Sequence, residues 1–136
     1  MVTVPELVIE QSIKPAMQIK QCLHAAILVS DLERAEHFYG KVLQLAKVDR
    51  LLKYPGAWYQ VGDFQVHLIV APTAATELQN PEKWGRNPHI AFFVADLDAA
   101  KTQLIAHNCP IQTSASGRAA LFTQDPDSNI IELSQL

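Results

Sequence analysis

Four residues with metal-binding side chains occur as two pairs with the same separation. His24 and His89 are 65 positions apart, and so are His67 and Glu132 (89 − 24 = 65; 132 − 67 = 65). Two imidazoles and one carboxylate form an arrangement that binds a divalent metal and leaves several coordination positions free. The metals that suit these ligands are iron(II), nickel, manganese, cobalt and zinc. The spacing therefore predicts one divalent metal ion, held by His24, His67, His89 and Glu132.

The role of His67 has two interpretations. It is either a fourth ligand or an uncoordinated acid/base group that faces the substrate. A single histidine in an apolar strand is more often a core residue, whereas a carboxylate inside the apolar run IIEL is costly to bury unless it is paired, protonated or metal-bound. The predicted catalytic residues are His67 and Glu132.

The two pairs belong to a segment that the chain repeats. LHAAILVSDLERAEHFY at 23–39 and PHIAFFVADLDAAKTQL at 88–104 superpose with this offset, which places Asp31 on Asp96 and Ala35 on Ala100. Self-similarity at a fixed period is the signature of a repeated structural unit. The sequence predicts a duplicated module.

The first module, residues 21–70, has a β-α-β-β-β pattern. Apolar alternation predicts a strand over 22–29 that is covered on both faces. Ser30 to Glu33 resembles a capping box, with Ser30 as the N-cap of the helix that follows. Three further strands are predicted over 47–52, 57–61 and 64–70.

The second module, residues 88–136, repeats this plan after a connector at 71–87, and residues 1–20 form an N-terminal extension. A helix is predicted from an Asp96 cap to about His107, with Asn108 as a left-handed stop. The predicted strands cover 89–94, the neighbourhood of Ile111, 119–123 and 129–134. Strands with helices on one side predict a single α+β domain over 21–136.

Composition limits the classes of function. At 136 residues, with 49% hydrophobic and 18% charged residues, the chain can bury the core of one domain. A net charge of −3 and a pI near 5.9 give no basic surface for nucleic acid, and no apolar run is long enough for a membrane span. The first residues have no cation before Lys14 and no uninterrupted apolar core, so a secretory signal is not expected and a cytoplasmic protein is the default. The two cysteines have neither zinc-ribbon nor redox spacing, and a reducing compartment would keep them as thiols.

Four other residues are candidates for substrate contact. Arg118, in the turn SGR, can hold a carboxylate or phosphate in a bidentate fork, and Trp58 can stack on an aromatic ligand. A solvated loop arginine and a sheet-filling tryptophan are the plainer interpretations. The predicted substrate-binding residues are Arg50, Trp58, Phe93 and Arg118.

With these residues the sequence resembles members of the vicinal oxygen chelate superfamily. This superfamily includes glyoxalase I, extradiol dioxygenases, methylmalonyl-CoA epimerase, and fosfomycin and bleomycin resistance proteins. The resemblance rests on H-x4-V-x-DL-x2-A in both modules, FYGKVLQL, HLIV and GRAALFTQDPDSNIIEL. It implies two modules in a curved, incomplete mixed-sheet barrel, with helices outside and one metal between the modules. It also implies a homodimer, and leaves open whether the four ligands come from one chain or two.

The resemblance implies an enzyme that acts on a small metabolite chelated through two neighbouring oxygens. Lyase or isomerase chemistry and extradiol ring cleavage both fit this ligand set. The alternative is a metal-free protein of the bleomycin-resistance type that binds a small molecule or antibiotic through Trp58, Tyr59 and Phe93. Gln44 and Ser128 replace glycines that are common in the family, which predicts two distorted turns.

Overall fold

A computed structural model describes residues 16–74 and 77–136. It contains two four-stranded mixed sheets of identical topology, which confirms the α+β fold and the duplicated module. Most of the predicted N-terminal extension lies outside the described residues, and the domain boundaries stay a prediction. No helix in the described part of the chain combines the length and apolarity of a membrane span.

The first module forms a sheet with strand order β1-β4-β3-β2. Strand β1 runs parallel to β4, and the other neighbours are antiparallel. Helix α1 continues directly into a π-helical segment. The elements are β1 (His24–Val29), α1 (Leu32–Glu36), the π-helical segment (His37–Val42), β2 (Ala46–Lys47), β3 (Gly56–Val61) and β4 (Phe64–Val70).

The second module repeats this topology with the order β5-β8-β7-β6, and β5 is parallel to β8. A 3-10 turn in the connector, Trp84–Arg86, precedes it. The elements are β5 (His89–Phe93), α2 (Leu97–Ala106), β6 (Ile111–Thr113), β7 (Ala120–Gln124) and β8 (Ile130–Ser134).

Both helices begin at an aspartate. The Asp31 carboxylate accepts a hydrogen bond from the Arg34 N–H at 2.9 Å, and Asp96 accepts one from the Ala99 N–H at 3.1 Å. The prediction of Ser30 as the N-cap is wrong. Ser30 instead donates its hydroxyl to Asp127 in the second module, because Asp31 already supplies the cap.

Two strand predictions need correction. The strand predicted over 47–52 is reduced to β2, because pairing with β3 ends soon after Lys47 and leaves Leu51 98% exposed. The prediction that the first strand is covered on both faces is also wrong. Ile27 and Val29 are buried, but Leu28 on the opposite face is 50% exposed, since the helices pack on one side of the sheet only.

The core lies between the helices and the sheets and is continuous across the two modules. Alternate residues of each strand point into it, so the remaining residues form a second, open face on each sheet. The largest fully buried side chains are Tyr39, Tyr59, Leu68, Leu104, Leu121 and Ile131.

A group of hydrogen bonds, here called the clasp, joins the modules at one end of their contact. Tyr39 donates to Asp125 at 2.8 Å, Ser30 donates its N–H and its hydroxyl to Asp127, and Asn129 donates to the Leu28 carbonyl at 3.1 Å. Burial raises the pKa of Asp125, although hydrogen bonds from Asn129 and Tyr39 oppose the shift. The clasp comprises Ser30, Tyr39, Asp125, Asp127 and Asn129.

The opposite end of this contact contains an apolar groove of about 410 Å³. Leu104 lines it at the position that corresponds to Tyr39 in the repeat (39 + 65 = 104). Val61 lines it at the position that corresponds to Asp125. The strand register shows this, because the preceding residues, Gln60 and Gln124, pair with equivalent positions of β4 and β8. The duplicated contact is therefore polar at one end and apolar at the other.

Three residues other than glycine have left-handed backbone conformations. Gln44 has φ 60°, Asn108 has φ 57° and Ser128 has φ 66°. Asn108 ends α2 as predicted. Gln44 and Ser128 adopt the left-handed conformation that glycine reaches readily, and the distortion expected at these two turns stays a prediction. This conformation costs a residue with a Cβ about 1–2 kcal/mol.

Candidate metal and substrate site

The open face of the first sheet carries a column of stacked side chains. The β3–β4 register places Trp58 beside His67, and their ring centroids are 3.7 Å apart with an interplanar angle of 3°. His24 stacks on the other side of His67 at 4.0 Å, and the Arg50 guanidinium lies 4.2 Å from the Trp58 centroid. The stack, in order, is Arg50, Trp58, His67 and His24.

His67 is buried and neutral within this stack. Its pKa is lowered by burial, and the neighbouring His24 and Arg50 lower it further. Its Nε2 atom lies 2.8 Å from the amide oxygen of Gln65, two residues earlier on the same face of β4. His67 is therefore an uncharged imidazole held between the rings of Trp58 and His24.

The open face of the second sheet brings His89 and Glu132 together. Strands β5 and β8 are parallel neighbours, and His89 Nε2 lies 3.4 Å from Glu132 Oε1. His89 Nδ1 lies 2.7 Å from the Asn87 carbonyl, which can only accept a hydrogen bond. Nδ1 of a neutral His89 therefore carries the proton, and Nε2 presents its lone pair on the side of Glu132, as metal-binding histidines commonly do.

Glu132 is buried and ionised. Burial raises its pKa, but the Ser134 hydrogen bond, Arg118 and His89 together lower it below the usual value. Ser134 donates to Oε2 at 2.7 Å, and Arg118 Nη2 lies 3.6 Å from Oε1. Ser134 thus occupies one carboxylate oxygen, while the other faces His89 and Arg118.

The structure brings the four predicted ligands together as two pairs, one on each sheet. His24 contacts His67, and His89 contacts Glu132. Within residues 16–74 and 77–136, no three His, Cys, Asp or Glu side chains come together in a way that could hold a metal ion. The donor chemistry nevertheless fits a divalent metal, since Glu132 is ionised and Nε2 of a neutral His89 presents its lone pair beside it.

The predicted substrate-binding residues lie beside these pairs. Arg50 and Trp58 belong to the stack, and Arg118 contacts Glu132. Phe93 shares the His89 face of β5 and is 67% exposed. Tyr59, which the alternative function invokes, is 1% exposed and points into the core, so it is not available to a ligand on the open face.

The sequence analysis missed several residues that orient the site. Gln65 lies two positions before His67, Ser134 two positions after Glu132, and Asn87 two positions before His89. Alternation along a strand places Gln65 and Ser134 on the same face as their partners. That spacing was the available signal, and it did not identify which polar residue makes a hydrogen bond.

The connector covers part of the second open face. Gln112 holds it by accepting a hydrogen bond from the Trp84 N–H at 2.9 Å and donating one to the Glu82 carbonyl at 2.8 Å. Gly85 packs so closely on Phe122 that a Cβ would lie 2.6 Å from the ring. Phe122 in turn meets His89 edge-on at 5.7 Å, so the connector helps to hold His89 in place.

The structure thus combines two repeated modules, with the His24–His67 pair on the open face of one sheet and the His89–Glu132 pair on the open face of the other. The chain belongs to the Glyoxalase/Bleomycin resistance protein/Dioxygenase superfamily, whose sequence profile matches residues 21–133. The resemblance noted from the sequence is confirmed.

The chain is also similar to individual known proteins. The chain is 27% identical to the uncharacterized protein YaeR of Escherichia coli (strain K12), over 85% of this chain and 95% of YaeR. It is similar to a glyoxalase/dioxygenase from Nostoc punctiforme, with a TM-score of 0.73 and 24% identity over 90% of this chain and 95% of that one. The fosfomycin resistance protein FosX from Listeria monocytogenes gives a TM-score of 0.70 with 14% identity, over 88% and 93% of the two chains. At these identities the structural likeness establishes the fold alone.

Proposed function

We propose that this protein is an enzyme dependent on a divalent metal, which acts on a small metabolite that chelates through two neighbouring oxygens. The observation that carries the proposal is the His89–Glu132 pair, in which one nitrogen lone pair and one ionised carboxylate lie side by side. Among the described residues, the Oε1 atom of this buried carboxylate has only long contacts, to His89 and Arg118, and is well suited to take a cation. The cytoplasmic location stays a prediction from the sequence.

The ligands we assign are His24, His89 and Glu132, with His67 beside them. When bound, the metal supplies a Lewis acid and a template for the two substrate oxygens. Ser134 and Arg118 keep Glu132 ionised, and the Asn87 carbonyl keeps the proton of His89 on Nδ1. Iron(II), nickel, manganese, cobalt and zinc all fit this donor set.

The separation of the two pairs supports a homodimer. Each pair lies on the open face of its own sheet, and Leu28 and Phe93 expose apolar surface on those faces. We propose that a second copy covers these faces, so that one site takes a pair from each chain. Because burial of apolar surface drives association, Leu28 and Phe93 would then be buried in the dimer.

Two arginines suggest the chemical character of the substrate. Arg50 lies at the end of the stack, and Arg118 contacts the carboxylate of Glu132. Guanidinium groups at both pairs favour a substrate with an anionic group, such as a carboxylate or enolate. Lyase or isomerase chemistry and extradiol cleavage both remain compatible with this site.

A metal-free binding protein is the second candidate, and the stack favours it. His67 covers one face of Trp58 and the Arg50 guanidinium covers the other, so a planar ligand that displaces Arg50 would stack on Trp58 without chemistry. If this candidate is correct, removal of the His24 or Glu132 side chain would leave the affinity for the bound small molecule unchanged.

Elemental analysis of the purified protein tests the proposal. We expect about one divalent metal per site after reconstitution with each candidate ion, and its loss in Glu132→Ala. Glu33→Ala, a change of the same kind on the exposed face of α1, is the matched control and keeps the metal. Equal metal content in all three proteins, or none in any, contradicts the proposal and favours the metal-free alternative.

A further inference from the structure

We propose that Gln65 is a positioning residue that fixes the proton of His67 on Nε2 and thereby keeps this nitrogen out of the metal's coordination shell. The inference rests on the proposed metal-dependent function and assigns a separate role to His67 within it. Its basis is a chain of three hydrogen-bonding side chains on the open face of the first sheet, formed by Gln60, Gln65 and His67.

The series of hydrogen bonds begins at Gln60. Main-chain carbonyl groups fix the orientation of its side chain. Its Nε2 amide group donates to the Gly62 carbonyl at 2.7 Å and lies 3.3 Å from the Phe64 carbonyl. Carbonyl oxygens only accept hydrogen bonds, so the amide nitrogen must face the β3–β4 turn. The Oε1 atom of Gln60 therefore faces the opposite way.

That orientation determines the orientation of Gln65. The β3–β4 register pairs Gln60 with Gln65, and Gln65 Nε2 donates to Gln60 Oε1 at 2.7 Å. The amide oxygen of Gln65 is then turned toward His67, 2.8 Å from its Nε2 atom. Because an amide oxygen only accepts, Nε2 of His67 must be the protonated nitrogen.

The stack keeps the imidazole in this position. Trp58 and His24 cover the two faces of the His67 ring at centroid distances of 3.7 and 4.0 Å. A ring held between two planes presents its nitrogens at fixed points along its edge, and Gln65 occupies one of them. The neutral imidazole keeps its lone pair on Nδ1 alone.

His67 on β4 and a neutral His89 on β5 thus have opposite tautomers. The Asn87 carbonyl keeps the proton of His89 on Nδ1 and leaves Nε2 free beside Glu132. Gln65 keeps the proton of His67 on Nε2. The imidazole ligands of the metal are then His24 and, through Nε2, His89, while His67 has no Nε2 lone pair to offer the metal.

Nitrogen-15 NMR of the histidine side chains of the full-length protein tests this assignment, first without metal and then with zinc. We expect one fixed tautomer for His67, with a protonated Nε2, under both conditions. Among the histidines of the two pairs, zinc shifts the side-chain nitrogen signals of His24 and His89 only. In Gln65→Leu the fixed tautomer is lost, and zinc now also shifts the His67 signals.

Two further variants complete the experiment. Gln60→Leu removes the side chain that orients Gln65, so we expect partial loss of the fixed His67 tautomer. This variant keeps the test possible if Gln65→Leu fails to fold. Gln103→Leu, on α2 and away from the stack, is the matched control and leaves the His67 signals unchanged.

The possible failures are distinguishable. Mixed tautomers of His67 in the wild-type protein, or loss of its Nε2 proton when zinc is added, overturn the positioning role of Gln65. If zinc shifts no histidine signal while the His67 tautomer stays fixed and depends on Gln65, the proposed metal site fails and the hydrogen-bond chain is confirmed.

Discussion

Removal of the Tyr39 hydroxyl is expected to weaken the contact between the modules. In Tyr39→Phe, Asp125 loses the hydrogen bond at 2.8 Å while the ring remains in the core. Asp125 is 5% exposed, so water cannot readily replace the donor.

The expected loss follows from the partners that remain. Asp125 keeps the Asp127 N–H at 2.9 Å, the Asn129 N–H at 2.8 Å and the Asn129 side-chain amide at 2.8 Å. A hydrogen bond to a charged group contributes about 1.5–3 kcal/mol, and the remaining donors place the loss near 2 kcal/mol. For a chain of 136 residues this corresponds to a fall in Tm of about 6 °C.

Urea unfolding followed by circular dichroism measures this difference, with Tyr59→Phe as the matched control. Tyr59 is equally buried, but its hydroxyl lies 3.4 Å from Glu36 within the same module. A bond of that length contributes little, so we expect the control to lose less than about 0.5 kcal/mol. Equal losses in the two variants would refute the reasoning that the clasp stabilises the contact between the modules.

Three further predictions concern single positions. Gly56→Ala should lower the free energy of unfolding by at least about 2 kcal/mol, because the added Cβ would lie 2.2 Å from the Leu68 carbonyl oxygen; thermal unfolding measures it, and an unchanged Tm contradicts it. Gln44→Gly should raise that free energy by up to about 1 kcal/mol through relief of its positive φ, and urea unfolding checks the sign. Since burial raises the pKa of Asp125, the folded state binds its proton more tightly than the unfolded state. The wild type should therefore gain stability relative to Asp125→Asn as the pH falls from about 7 toward the ordinary carboxyl pKa of 3.8; a constant difference in urea unfolding between about pH 7 and about pH 4 would exclude this contribution.

The duplication was predictable because the same residue types recur at one offset. His24 and His89, and the two helix-capping aspartates Asp31 and Asp96, mark equivalent positions directly in the sequence. The strands after each helix were found from alternation and turn residues. The apolar residues in 47–52 have the pattern of a strand. A strand forms only where a neighbouring strand pairs with it, and β3 pairs with at most two of these positions.

Other features depend on what lies opposite a residue, which local patterns do not specify. The first strand looked apolar on both faces, yet only one face meets a helix. Ser30 has a side chain typical of an N-cap, but its hydroxyl donates a hydrogen bond to Asp127, 97 positions away. Gln60 and Gln65 look like ordinary surface residues until the strand register places them beside His67.

The clasp also bears on how similar modules choose their neighbours. Its hydroxyl donors, Ser30 and Tyr39, belong to the first module, and its carboxylates, Asp125 and Asp127, belong to the second. Two first modules in the same contact would have the donors without the carboxylates. Two second modules would bury four carboxylates, because Leu104 replaces Tyr39 there and offers no hydroxyl. The divergence of the two halves therefore favours contact between unlike modules, even though both have the same topology and similar shapes.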